Sequence, residues 1–450
     1  MSEKIDYSKG VYDAKKLGTG RMFILGVQHM FAMFGATVLV PALTGLSVSA
    51  TLLFAGLGTL LFHFITGLKV PAFLGSSFAF LGGYFAVAEL CKAQGIENFS
   101  AYASIGVACA GGIYVILALL FKVFGANKVM KFFPPIVTGP IIISIGLTLS
   151  ESAITNCSAN WIIALVAIVT VIVCNIWGKG MIKIVPILLG VIVSYIVAVC
   201  MGKVDFTPVA DAAWIGLPVA YNDTVFSLFQ GADVSLIITS IITIMPIAIA
   251  TIIEHIGDVS AISSTVGKNF IAQPGLHRTL LGDGLATSMA ALFGAPANTT
   301  YGENTGVLAL TKVYDPKVIR IAAIFAVLLS FSPKFAAIVQ VMPAATMGGI
   351  SLILYGMISA VGVRNVVENK VDLSKSRNII IAALILVLAI GIKFGTGDAQ
   401  AIVFHIGQIT ISLSGLAVAA IIGIVLNAIL PGKDYTFIDD SAKTGVDFKV

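Results

Sequence analysis

Two short polar segments carry the carboxylates that could do chemistry in an otherwise apolar chain. Glu303 lies in NTTYGENTGV (298–307), among amides, hydroxyls and glycines. Glu254 and Asp258 lie in TIIEHIGDVS (251–260), four residues apart and therefore on one face of a helix. Two carboxylates on one face in a low dielectric cannot both ionise cheaply. This spacing therefore predicts that the pair accepts a proton.

Each of these residues also has a structural interpretation. Glu303 could be a loop residue that touches the membrane interface. The segment around Glu254 could be a helix end that emerges into the cytoplasm with Asp258 solvated. That interpretation suits Asp258 better than Glu254, because Glu254 follows the apolar run IMPIAIATII. His29, early in the first span, is a further candidate for proton transfer, although a lone intramembrane histidine more often bonds a neighbouring helix.

The elements that must position these residues are membrane-spanning helices. Of the 450 residues, 58% are hydrophobic and 11% are charged, whereas soluble domains have about 25% charged residues. Apolar runs of the length needed to cross a bilayer recur without strand-like alternation, which predicts an all-α polytopic protein rather than a barrel. The candidate spans are 22–44, 49–68, 76–90, 102–124, 132–150, 160–177, 182–201, 235–257, 279–293, 301–314, 317–333, 336–360, 376–395 and 402–430, or about fourteen crossings.

The charge distribution predicts the orientation of these spans. Lys and Arg concentrate in the loops that face the cytoplasm if the N-terminus is inside, whereas the outside loop near 203–234 holds four Asp and one Lys. An even number of crossings then places both termini in the cytoplasm. The polar first twenty residues are interpreted as a cytoplasmic lead-in rather than a signal peptide. The net charge of +5 requires no nucleic-acid partner, and the five scattered cysteines indicate neither a metal site nor a disulfide framework.

Two segments interrupt the hydrophobic pattern in a similar way, one in each half of the chain. They are VPAFLGSSFAFLGG (70–83) and FGAPANTTYGENTGV (293–307), each with Pro, Gly, small hydroxyl residues and an aromatic. Extended backbone at membrane depth survives only when it is buried in protein or lines a cavity. A matched pair of such segments predicts a transporter with broken helices that meet at a binding site. The alternative for either segment alone is an ordinary kinked helix or a loop outside the membrane.

Five segments resemble the nucleobase–ascorbate transporter family, also called nucleobase:cation symporter-2. They are QHMFAMFGATVLVP, VPAFLGSSFAF, EHIGD, PGLHRTLLGDGLAT and NTTYGENTGVLALTKVY. The resemblance extends roughly from Gly26 to Leu430 and is greatest to the bacterial uracil permeases of that family. It implies a transporter rather than an enzyme, which imports uracil across the cytoplasmic membrane by proton symport without a cofactor.

The same resemblance implies two inverted repeats of seven segments, with short strands in the broken segments 3 and 10. It implies a core domain formed by 1–126 and 233–333, and a gate domain formed by 127–232 and 334–450. A homodimer through the gate domain is implied by the resemblance alone.

The implied substrate contacts match the chemistry of a flat ring with two N–H donors and two carbonyl acceptors. Glu254 and Glu303 would accept from the N–H groups, and Phe78 would stack on the ring. The other implied contacts are Gly302 and Tyr301 through backbone, Ala36 lining the pocket, and Tyr355 on the gate side. Asp258 stands where uracil permeases can have the last His of EHxGH, which is linked to proton coupling. Coupling through a histidine is therefore not carried over, although a carboxylate can also carry a proton.

Several other functions compete with this interpretation. A xanthine or urate permease of the same family typically has Gln before the Asn of the second broken segment, whereas this chain has Glu303-Asn304. Carriers of inorganic or dicarboxylate anions are disfavoured, because two carboxylates in the site would repel such substrates. An intramembrane enzyme would need a nucleophile–base pair or metal ligands, and the chain has no HExxH or GxSxG motif. A passive channel would not show saturable uptake that a protonophore abolishes.

Overall fold

The structure, a computed structural model, is mostly helical and describes residues 10–96, 98–397, 400–406 and 409–433. In these ranges the helices are α1 Thr19–Thr44, α2 Val48–Ile65, α3 Leu81–Ala93, α4 Phe99–Phe124, α5 Ala126–Val129, α6 Pro135–Ser158, α7 Trp161–Ile176, α8 Met181–Ile184, α9 Pro186–Cys200, α10 Thr207–Asp211, α11 Val234–Ile244, α12 Ala248–Val266, α13 Leu276–Leu292, α14 Gly302–Thr311, α15 Pro316–Ser330, α16 Pro333–Gln340, α17 Ala344–Glu368, α18 Ser376–Gly395 and α19 Gly415–Ile429. The strands are β1 Leu74–Ser76, β2 Asn298–Thr300, β3 Ala401–Ile406 and β4 Ile409–Ser414.

Long apolar helices confirm the predicted class, an all-α polytopic membrane protein. Among the described residues, seven helices are long and apolar enough to cross a membrane: α1, α2, α4, α6, the continuous α11–α12 helix, α17 and α18. The pair α15–α16, bent by 89°, would make an eighth span. The other predicted spans fall on shorter helices or on strand–helix units, so the count of fourteen crossings stays a prediction.

Two short strands lie in the two broken segments, and they pair with each other across the chain. β1 and β2 are antiparallel, with Leu74 opposite Thr300 and Ser76 opposite Asn298. α3 follows β1 after one 3₁₀ turn, and α14 follows β2 after Tyr301. The pairing satisfies backbone groups that would otherwise be exposed at membrane depth. Each strand therefore aims the N-terminus of a half-helix at the same region.

The last predicted span, 402–430, is wrong in its first half. Residues 401–414 contain the hairpin β3–β4, and the helix α19 begins only at Gly415. The apolar content that suggested a helix is partly β-branched, as in AIVF and ITIS, and β-branched residues favour strands. The predicted span 336–360 is also not one helix, because α16 ends at Gln340 and α17 begins at Ala344.

Close helix packing positions α17, which carries Tyr355, against α6. A side-chain carbon at Gly146 of α6 would meet the backbone of Tyr355, and one at Gly362 of α17 would lie 2.6 Å from the Ile143 nitrogen. Glycine at these points lets the two backbones approach closely, as in other membrane helix pairs. The position of Tyr355 is thereby fixed from behind.

Candidate substrate site

The paired strands β1 and β2 are held from behind by polar side chains of α2 and α13. Thr59 Oγ1 accepts from the Leu74 N–H at 2.9 Å and donates to the Leu74 carbonyl at 3.2 Å. Asn298 Nδ2 donates to the Phe54 carbonyl at 3.0 Å, and Thr287 Oγ1 donates to the Asn298 carbonyl at 2.9 Å. These buried bonds fix the strands rigidly, because each would leave an unsatisfied group in the core if it broke.

Tyr301 links three elements at the start of α14. Its hydroxyl donates to the Ser76 carbonyl at 3.0 Å and lies 3.2 Å from Ser76 Oγ. Thr37 of α1 also donates to this hydroxyl, at 3.3 Å. The ring is 4% exposed and lies directly over Gly75, where a Cβ would collide with it. Tyr301 therefore connects β1, β2 and α1.

Glu303 occupies the first turn of α14, where the helix dipole stabilises a negative charge. Its side chain is half-buried and the preceding Gly302 is exposed, so this turn faces an open space. The next residue, Asn304, is buried, and its Nδ2 donates to the His29 carbonyl and lies 3.1 Å from His29 Nδ1. His29 thus bonds a neighbouring helix, in agreement with its structural interpretation.

A pair of carboxylates lies on α12, which packs against α14. Glu254 and Asp258 are both half-buried, one turn apart. Asp258 Oδ2 accepts from Thr300 Oγ1 at 2.8 Å, so α12 is tied directly to the end of β2. The helix continues for two further turns to Val266. The interpretation of Asp258 as a solvated helix end is therefore wrong, because the apolar run does not mark where α12 stops.

A buried polar pair lies behind these carboxylates. His255 Nδ1 is 2.9 Å from Asp283 Oδ2 of α13, and both side chains are fully buried. The Phe62 ring meets the His255 ring edge-on, with centroids 6.2 Å apart. This pair holds α12 against α13.

Phe78 and Tyr355 meet from opposite sides. Phe78 is half-buried in the 3₁₀ turn before α3, and Tyr355 of α17 is 1% exposed. Their ring centroids are 6.3 Å apart at 73°, an edge-to-face contact. The two aromatic rings therefore bring the first broken segment against α17.

A cavity of about 190 Å³ reaches Glu303 from the side. Its lining includes Phe31 of α1, Gly306 of α14, Pro186 of α9 and Met357 of α17. Lys183 also borders this cavity. The carboxylate of Glu303 thus lies at a boundary between two groups of helices that the resemblance assigns to different domains.

The structure brings most of the predicted site residues to one region. Glu254, Glu303 and Phe78 are half-buried, and Gly302 is exposed. Tyr301, Tyr355 and Ala36 are buried, and the Ala36 carbonyl accepts from Ser76 Oγ at 3.4 Å. Their roles as substrate contacts stay predictions.

Sequence reasoning did not single out the supporting hydroxyl and amide groups. Thr300, Ser76 and Asn304 all lie within the two polar segments, so their position beside the candidate residues was the available signal. Among the described residues, no group of three His, Cys, Asp or Glu could hold a metal ion.

Paired broken segments inside a polytopic membrane protein are typical of transporters. A family model described as a permease family matches residues 20–397. The chain belongs to this family, the nucleobase–ascorbate transporters, and it is a transporter rather than an enzyme.

Curated relatives cover nearly the whole chain. The uracil permease of Bacillus caldolyticus is 40% identical over 438 residues, which are 95% of this chain and 96% of that protein. The uracil permease of Bacillus subtilis (strain 168) is 39% identical over 421 residues, 90% of this chain and 91% of that protein. The putative pyrimidine permease RutG of Escherichia coli (strain K12) is 38% identical over 429 residues, 93% of this chain and 91% of that protein.

Solved structures of similar shape show the fold alone. The transmembrane domain of the cyanobacterial bicarbonate transporter BicA has a TM-score of 0.61 at 16% identity, covering 93% of this chain and 99% of that domain. The structure of SLC26A9 has a TM-score of 0.62 at 11% identity, covering 93% of this chain and 66% of that chain.

Proposed function

We propose that this permease imports uracil across the cytoplasmic membrane by proton symport, with both termini in the cytoplasm. The observation that carries the proposal is the position of Glu303 in the first turn of α14, directly after the paired strands β1 and β2. Asp258 of α12 bonds Thr300 at the end of β2, and Glu254 lies one turn earlier on α12. The names of the relatives, uracil permeases and a pyrimidine permease, point to the same substrate.

The chemistry of uracil fits these groups. Its two N–H donors match the carboxylates of Glu254 and Glu303, and its two carbonyl oxygens match N–H groups at the starts of α3 and α14. Phe78 covers the face of the ring. A ligand without a matching donor would leave a carboxylate unpaired in a dry site, which is the strong form of discrimination. Gly302 and Tyr301 contribute backbone, while Ala36 and Tyr355 complete the walls.

The proposed transport cycle moves a core domain (1–126 and 233–333) against a gate domain (127–232 and 334–450). The β1–β2 pair and its supports Thr59, Thr287 and Asn298 belong to the core and would move as one unit. The edge-to-face contact of Phe78 with Tyr355 would then join the two proposed domains, and a bound ring would change it. The exposed apolar residues of the gate domain would face lipid or a second copy of the chain.

Proton coupling is assigned to Asp258 with Glu254, and His29 is the alternative carrier. Asp258 accepts a hydrogen bond from Thr300 at the end of β2. A change in the charge of Asp258 would therefore change the strength of this bond, and β2 leads directly to Glu303. A proton that neutralises the pair outside would let the loaded site cross the low-dielectric barrier, and its release inside would disfavour the return of an empty carrier.

Radiolabelled uracil uptake into proteoliposomes tests the proposal. We expect saturable uptake that follows an imposed pH gradient, competes with unlabelled uracil and stops with a protonophore. Competition by xanthine or urate in place of uracil would transfer the proposal to a purine permease. Accumulation that follows a sodium gradient and ignores pH would refute the proton assignment.

A further inference from the structure

The N-terminal segment before α1 is bound across the ends of two helices that carry the site. We name residues 10–18 the N-terminal strap. Val11 forms a parallel bridge with Val313: its N–H donates to the Lys312 carbonyl and its carbonyl accepts from the Tyr314 N–H, both at 2.8 Å. Lys312 is the C-cap of α14. The strap therefore binds the C-terminal end of α14, whereas Glu303 lies at the N-terminal end.

The strap also binds the C-terminal end of α12. The Tyr12 hydroxyl donates to the Val266 carbonyl at 2.6 Å, and Val266 is the last residue of α12. The final carbonyls of a helix have no donor within the helix, so Tyr12 supplies a missing cap. The Lys268 ammonium lies 4.4 Å from the centroid of the Tyr12 ring, and the Tyr12 and Tyr314 rings are 5.4 Å apart.

Burial and polar bonds make this attachment specific. Val11, Ala14 and Leu17 are buried and pack against Val313 and Val318. The Ala14 N–H donates to Asp315 Oδ2 at 2.8 Å. A side-chain carbon at Gly10 would collide with the Tyr314 ring, so the chain approaches α14 as closely as glycine allows.

We propose that the N-terminal strap is a positioning element of the substrate site, which sets the position of Glu303 on α14 relative to Glu254 and Asp258 on α12. α14 is a rod of ten residues, or about 15 Å, with the strap at one end and Glu303 at the other. A tilt of about 4° moves the end of such a rod by roughly 1 Å, which is enough to weaken a directional hydrogen bond. The role in uracil binding rests on the function proposed above.

Two variants break the strap to different extents in the full-length protein. Val11→Pro removes the N–H that donates to Lys312, and Tyr12→Phe removes only the hydroxyl that caps α12. Val11→Ile is the conservative rescue, because it keeps the N–H and the apolar side chain. Tyr221→Phe is the matched control, since its hydroxyl also donates to a carbonyl, that of Phe226, but in a loop remote from the strap.

Hydrogen exchange of the purified proteins and uracil transport are measured together. We expect Val11→Pro to increase exchange of the α14 amides and of the last turn of α12 by on the order of tenfold. We also expect the KM for uracil to rise about fivefold at nearly constant turnover number, with a smaller rise in KM for Tyr12→Phe. Val11→Ile and Tyr221→Phe should behave like the parent in both measurements.

Two results would overturn the proposal. One is unchanged exchange in α12 and α14 for Val11→Pro and Tyr12→Phe. The other is a rise in exchange spread over all helices with KM unchanged, which would make the strap a general stabiliser. If the parent carries no uracil, the exchange result still decides whether the strap holds α12 and α14, so failure of the proposed function is distinguishable.

Discussion

Gly75→Ala tests whether the position of the Tyr301 ring determines the affinity of the site. Gly75 lies in β1 opposite Thr299, and the Tyr301 ring covers it. A Cβ there would be 2.5 Å from Tyr301 Cζ and 2.7 Å from its hydroxyl oxygen. Since carbon contacts are favourable near about 3.5–4.0 Å, the ring would have to move by roughly 1 Å. Tyr301 immediately precedes Gly302 and Glu303, so that movement displaces the start of α14.

The expected magnitude follows from overpacking in a well-packed core, which costs about 1–3 kcal/mol. If this cost falls on the arrangement that binds substrate, the Kd for uracil rises by about 5- to 150-fold. Gly391→Ala is the matched control, because a Cβ at Gly391 in α18 meets nothing within 4 Å. Alanine is also the better helix former, so this control should leave the fold undisturbed.

Equilibrium binding of radiolabelled uracil to the detergent-solubilised variants measures the effect, with thermal unfolding measured on the same samples. We expect weaker binding for Gly75→Ala and parental binding for Gly391→Ala. Equal Kd values for the two variants would refute the argument, because the Tyr301 ring could then move without changing the affinity of the site. A lower melting temperature for Gly75→Ala without a change in Kd would mean that Tyr301 contributes to stability alone.

Three further substitutions probe the proposed contacts. Glu303→Gln should abolish or sharply reduce uracil binding, because an amide can turn a donor toward the substrate N–H; the control is Glu89→Gln on the exposed face of α3, and parental Kd in the Glu303 variant would remove Glu303 from the substrate contacts. Phe78→Ala should weaken binding by about 1–3 kcal/mol if base stacking is lost, with the 78%-exposed Phe64→Ala as control; an unchanged Kd would make Phe78 a packing residue. Asp258→Asn should keep uracil binding but lose accumulation driven by a pH gradient, with the exposed Asp211→Asn as control; undiminished accumulation would move the proton to Glu254, His29 or Glu303.

The fold class and the broken segments could be predicted because they depend on local composition. Apolar runs report contact with lipid, and Pro and Gly with small polar residues report interrupted helices. The hairpin at 401–414 could not be predicted in this way, because apolar content alone does not distinguish a strand from a helix. The end of α12 could not be predicted from the apolar run for a related reason, since the last turns of α12 continue as helix beyond that run.

The contacts that build the site were beyond local patterns, since they join residues far apart in sequence. Tyr301 and Ser76 are separated by 225 residues, and Asn304 and His29 by 275. A tyrosine before a Gly-Glu pair carries no sign of which carbonyl its hydroxyl will reach. The polar character of both segments predicted where the site lies, and only the tertiary structure supplies the partners that hold it.

The partners of four carboxylates on α12, α13 and α14 suggest how their roles divide. Asp283 is committed to His255 at 2.9 Å, and Asp258 accepts from Thr300 at 2.8 Å. Within the described ranges, no side-chain donor from the protein is recorded for Glu254 or Glu303, although both are half-buried. A carboxylate that is costly to place in a membrane, by about 2.5 kcal/mol or more, gains most from a donor that arrives with the ligand. This contrast favours Glu254 and Glu303 as the groups that receive the uracil N–H donors. It favours Asp258, which accepts a hydrogen bond from Thr300 at the end of β2, as the group whose charge affects the position of β2.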